Sequence, residues 1–241
     1  MGESVVVTGF GTRTLENADE QVPLNKENRR IMRFARRSGR LFLEALQEAY
    51  AMSGCADAEM PSSRKGVYYG ECLNLFSDEE HRKEIFGACR DVAGEFRGEV
   101  LMNEVVDHWS AVEVLQNVPN VPCFLGAKLT SSSGLSETFL AGCASGLKAL
   151  RDAFYAIREG KIDVAFVGAG SAKNDRIEKK IMQAQSFFSR EDEKIADGGA
   201  ALVLETEEHV RRRGGTPFAE ILDVKEGFSP LAYSCGGIDE E

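Results

Sequence analysis

The stretch Phe139-Leu-Ala-Gly-Cys143-Ala-Ser-Gly-Leu147 joins an extended apolar run to a helix-forming run and sets one thiol at the junction. Before it, Glu137-Thr-Phe-Leu-Ala141 has the β-branched and aromatic content of a buried strand. After it, Leu147, Leu150, Ala153, Phe154 and Ile157 recur at the three-and-four spacing of a helix that ends at Gly160. Cys143 is therefore expected at a strand-to-helix turn. Gly142, Ala144 and Gly146 permit a tight turn and close approach of a ligand, and the following helix N-terminus offers unpaired amides that favour a thiolate or an oxyanion. A buried cysteine is more often a small hydrophobe than a nucleophile, so the assignment depends on what surrounds it.

Several segments, in order, resemble β-ketoacyl-acyl-carrier-protein synthases. Cys143-Ala-Ser-Gly-Leu-Lys-Ala-Leu-Arg-Asp-Ala, followed by Gly160-Lys-Ile-Asp163-Val-Ala-Phe-Val-Gly168-Ala-Gly170, is similar to that family's nucleophile helix and next strand. Val5-Val-Val-Thr-Gly-Phe-Gly11 resembles its first strand and turn, Arg64-Lys-Gly-Val-Tyr-Tyr-Gly70 its second, and Asp197-Gly-Gly-Ala-Ala-Leu-Val-Leu-Glu205 a later one. Glu208-His209-Val-Arg-Arg-Arg-Gly-Gly-Thr-Pro-Phe-Ala-Glu220 resembles the helix and strand that close the family's first half. The likeness is weakest between Asn74 and Val118.

The resemblance implies an α/β, thiolase-like fold in which a mixed sheet is packed with helices, here the N-terminal half only. Residues 1–241 are expected to form a single β-ketoacyl synthase N-terminal-like domain, with the family's C-terminal half absent. That second half supplies two histidines, a lysine and one oxyanion-hole amide. Cys143 is implied as nucleophile and as the other oxyanion-hole amide, in an acyltransferase-class site with no metal and no cofactor.

The histidines offer no obvious replacement for the missing groups, His108 being the one candidate for an approach to Cys143. His81 lies in the charge-dense run Ser77-Asp-Glu-Glu-His-Arg-Lys-Glu84, His108 precedes the single tryptophan Trp109, and His209 sits on a helix that the family places away from its active site. Condensation needs a base or hydrogen-bond donor within reach of the reacting carbonyl.

Lys26-Glu-Asn-Arg-Arg-Ile-Met-Arg-Phe-Ala-Arg-Arg-Ser-Gly-Arg40 carries seven cations on a chain whose formal net charge is −10. The run is expected on the first turns of one long helix capped by Asn25. In the family the corresponding helix start docks the acidic carrier protein, and Lys26, Arg29 and Arg30 fall at those positions; a solvated helix face is the alternative. The loop after Gly11 is short, and Asn174 to Ile195 departs from the family's loop signature.

The acidic balance argues against general nucleic-acid binding. The 241 residues show no apolar span of membrane length, no signal peptide and no metal-like pairing of the six cysteines, which points to a cytoplasmic chain without membrane insertion. Exposed apolar area on the helix after Cys143 calls for a cover, so a homo- or hetero-oligomer with a ketosynthase is expected.

Three functions fit these features. One is a ketosynthase-like or chain-length-factor-like subunit of fatty-acid, polyketide or aryl-polyene synthesis, pairing with a full synthase and meeting acyl carrier protein or acyl-CoA. Another is a Cys-dependent acyltransferase or split condensing enzyme that forms an acyl thioester on Cys143. The third is a non-catalytic acyl-chain or carrier-protein binding module.

Overall fold

Val5-Val-Val begins a strand because β-branched side chains favour the pleated, half-buried surface of a sheet. In the computed structural model, which describes residues 2–14, 26–57, 59–71, 87–91, 93–100, 111–172 and 196–227, that run opens β1 (Val5–Arg13). It is followed by α1 (Lys26–Met32), α2 (Arg37–Ser53), β2 (Lys65–Glu71), α3 (Ala111–Gln116), α4 (Val121–Leu129), β3 (Ser136–Phe139) and α5 (Ser145–Arg158). The last elements are β4 (Val164–Ser171), β5 (Gly198–Thr206), α6 (Glu207–Arg212) and β6 (Ala219–Ile221).

The strands make one mixed sheet in the order β3-β2-β4-β5-β1-β6. β2 runs parallel to β3 and β4, whereas β5 lies antiparallel between β4 and β1. Alternation along the strands sorts side chains to the two faces. Val67, Tyr69 and Phe166 meet Phe42, Leu43, Leu46 and Ala49 of α2 on one face. Tyr68, Ala165 and Val167 meet Ala149, Ala153, Phe154 and Ile157 of α5 on the other. Every residue of β2 is buried, as expected of a strand covered on both sides.

Two expectations change. The strand before Cys143, at the edge of the sheet, is shorter and more open than its composition implies, with Ser136 and Glu137 exposed and Thr138 and Phe139 half-buried. The basic run is not one helix: the chain turns at residues 33–36 between α1 and α2, and Arg36 is buried at the start of α2. Asn25 lies outside the described residues. α5 stops at Arg158, two residues before Gly160, as its periodicity predicts.

The outer side of α5 is incompletely covered. Leu147 is 70% exposed, and Leu140 and Tyr155 are also open. Residues 222–227 cross part of this side: the Val224 carbonyl accepts a hydrogen bond from the Tyr155 hydroxyl, and Glu226 pairs with both Lys148 and Arg151.

Candidate functional site

Cys143 occupies a single 3-10 turn, Gly142–Ala144, between β3 and α5. Gly142 takes φ 58°, a left-handed conformation that glycine adopts without steric cost. The turn is fixed by Ser145, the first residue of α5 and 2% exposed. Its Oγ accepts from the Ala141 amide at 2.8 Å and lies 2.8 Å from the carbonyl oxygens of Glu71 and Gly142. Cys143 is exposed, in contrast to the buried Cys55, Cys89 and Cys123. Burial pushes the Cys55 and Cys123 thiols up to about 11.

A cavity of about 550 Å³ opens beside Cys143. It lies at the carboxyl ends of β1, β2 and β4 and the amino end of β5, where ligands of α/β sheets commonly bind. Its wall is mostly small: Gly70, Gly146, Ala169, Gly170, Gly199 and Ala200. Gly70 is required by contact, since a Cβ there would stand 2.4 Å from the carbonyl carbon of Ser145. β2 and the start of α5 therefore touch through main chain.

Under this wall lies a buried polar cluster that the sequence reading missed. The fully buried Glu71 ends β2, and its Oε1 accepts from Arg36 Nε at 3.0 Å and from Ser38 Oγ at 2.5 Å. Arg36 Nη2 lies 2.9 Å from the same oxygen. Burial, reinforced by the Glu71 charge, pushes the Tyr69 phenol well above its ordinary value. The available signal was an acidic residue closing an otherwise uncharged run, Gly66-Val-Tyr-Tyr-Gly-Glu71.

His209 is far from Cys143. It is buried on α6 with its Nδ1 2.6 Å from Glu205 Oε2. Glu205 lies seven residues along β5 from the cavity-lining Gly198, about 23 Å of extended strand. His81 and His108 lie outside the described residues. Among the described residues no group of three or more His, Cys, Asp and Glu side chains could hold a metal, and no helix is long and apolar enough to cross a membrane.

Of the three cations expected to dock a partner, Arg29 and Arg30 are exposed on α1, and Lys26 begins the same helix. Arg33 is exposed beyond them, with its guanidinium 4.7 Å from the Phe34 ring centroid.

The profile described as beta-ketoacyl synthase, N-terminal domain, matches residues 14–209. The chain belongs to the beta-ketoacyl synthase N-terminal domain family. Among curated relatives, it is 27% identical over 205 residues to the tetracenomycin polyketide synthase ketoacyl synthase alpha subunit of Streptomyces glaucescens, covering 77% of this chain and 45% of that protein. The chain spans less than half the length of the curated relatives it matches. A type II polyketide synthase acyl-carrier protein in complex with its ketosynthase bound to the hexaketide superposes with TM-score 0.66 at 20% identity, covering 91% of this chain and 68% of that one. The ishigamide ketosynthase/chain length factor gives 0.65 at 17% identity, with 92% and 63% covered. The chain thus shares the thiolase-like arrangement of these proteins, a mixed sheet between helical layers.

Proposed function

We propose that this chain, as one ketoacyl-synthase N-terminal-like domain, is a ketosynthase-like subunit of polyketide or related acyl-chain synthesis. In this reading it pairs with a full-length ketosynthase and takes acyl groups from an acyl carrier protein onto Cys143. The observation that carries the proposal is the exposed Cys143 on a glycine-permitted turn, facing a cavity lined by small residues. Acyl transfer there is balanced: Cys143 Sγ bonds to the thioester carbonyl carbon, the bond to the carrier's thiol breaks, and the cysteine proton ends on that thiol. One thioester replaces another, so the step is close to thermoneutral.

Among the described residues His209 is the only histidine, and it is held at the other end of β5. A histidine that polarises the acyl carbonyl beside the Cys143 amide would therefore come from outside the described residues, and pairing is one way to supply it. The open side of α5, with Leu147 and Leu140 exposed beside the Cys143 turn, suits a partner subunit. Arg29 and Arg30, with Lys26, suit an acidic carrier protein, the partner seen in the complex with which this fold superposes.

Incubation with acyl-carrier protein or acyl-CoA, followed by intact mass spectrometry, tests the reading. The expected result is one acyl adduct that Cys143→Ala abolishes. Absence of an adduct at every chain length tried, with and without a partner ketosynthase, removes acyl loading. Carrier binding that survives Cys143→Ala but is lost when Lys26, Arg29 and Arg30 become glutamate would instead support the non-catalytic module.

A further inference from the structure

The Ser145 hydroxyl stands 2.8 Å from both the Glu71 and the Gly142 carbonyl oxygens, so its proton is shared between the end of β2 and the turn itself. On its acceptor side, Oγ takes the Ala141 amide. That amide lies two residues beyond the end of β3, past the last residue that pairs with β2. One hydroxyl thus bridges the chain entering the Cys143 turn and the end of β2.

Glu71 is itself held from behind, by Arg36 and Ser38 at the start of α2. A buried carboxylate with charged and hydroxyl donors resists displacement, because moving it would strand its partners without water. Gly70 completes the fixture by letting main chain meet main chain.

We infer that Ser145 is a positioning residue that sets the orientation of the Cys143 turn, through a relay running Arg36 and Ser38 to Glu71, Glu71 to Ser145, and Ser145 to Ala141. The relay joins the start of α2 to the thiol-bearing turn through Glu71, whose side chain takes Arg36 and Ser38 and whose main-chain carbonyl lies against Ser145. Its biological meaning rests on Cys143 being an acyl acceptor, but its effect on the thiol does not.

The test is the pH profile of Cys143 alkylation by iodoacetamide, followed peptide by peptide in the full chain. Ser145→Ala is expected to slow alkylation at neutral pH by ~3-fold or more, equivalent to about half a pH unit in the profile. Ser145→Thr, which keeps the hydroxyl, is expected to restore it. Amide hydrogen exchange supplies a second reading: the Ala141 amide is expected to be protected in the wild type and to lose protection in Ser145→Ala.

A folded Ser145→Ala protein with the wild-type alkylation profile and wild-type exchange at Ala141 overturns the inference. If that variant fails to fold, wild-type exchange decides: protection of the Ala141 amide supports the relay and exchange as fast as an open loop removes it. Loss of the acyl adduct reading leaves this result untouched, because alkylation needs no acyl transfer.

Discussion

Arg213 grips Glu205 with a two-point fork, Nε to Oε2 at 3.0 Å and Nη2 to Oε1 at 2.7 Å. The same carboxylate accepts from Thr8 and meets His209, while Arg213 also donates to the Ser53 carbonyl at 2.8 Å. The middle of β1 and the ends of β5 and α2 are tied at one buried charge.

Burial alone would raise the Glu205 carboxyl, but the hydrogen bonds from His209, Arg213 and Thr8 outweigh it and leave it below its ordinary 4.5. A depressed carboxyl contributes stability above its unfolded value and loses it as pH falls through the folded value. Glu205→Gln is expected to cost about 3–5 kcal/mol at pH 7, since Arg213 is left buried without its counter-charge. Denaturant unfolding of both proteins should show that gap narrowing below pH 4.5.

Thiol chemistry separates the described cysteines by burial. At pH 8, Cys143 is expected to be alkylated in the native protein, while Cys55, Cys89 and Cys123 react only after denaturation. For Cys55 and Cys123 the thiolate forms only near pH 11, so raising the pH to 9 should not expose them to reagent. Peptide mapping after a timed iodoacetamide pulse reads all four sites.

Gly70→Ala places a methyl group where Ser145 main chain stands. Neither neighbour is a flexible side chain, so β2 and α5 must separate. The expected cost is about 1–3 kcal/mol, together with slower alkylation of Cys143. A shift in denaturation midpoint without any change at the thiol would show that the strain is absorbed elsewhere.

α5 has two sides with opposite sensitivities. Phe154 is 1% exposed and faces the sheet, and Phe154→Ala should cost about 3–5 kcal/mol. Leu147→Glu should change stability by less than about 0.5 kcal/mol and abolish co-elution with a partner ketosynthase. Size-exclusion chromatography of mixed proteins, with circular dichroism as the folding control, distinguishes the two effects.

Local pattern made much of this legible. Leu150, Ala153, Phe154 and Ile157 announced α5, and the Cys143 turn followed from small residues between a strand and a helix. What periodicity did not show was long-range. Whether Glu137 and its neighbours lie in the centre or at the edge of a sheet depends on which strand comes to lie beside them, and β2 lies about 70 residues earlier. The run from Lys26 to Arg40 read as one basic face, yet Arg36 turned inward because a buried carboxylate, Glu71, waits there. A cation's partner is set by the fold, so its charge in the sequence says little about whether it meets solvent. Ser145 was hidden for the same reason: a serine at a helix start is common, and only the spatial meeting with Glu71 gives it a task.

Strand β5 carries cavity-lining glycines at one end and the Glu205 knot at the other. One strand thus serves both the wall of the cavity and the charge that ties β1, β5 and α2 together. A side chain at Gly199 would meet the Leu41 main chain, and loss of Glu205 would strand Arg213, so the two ends of β5 restrict substitution for different reasons, one of space and one of charge.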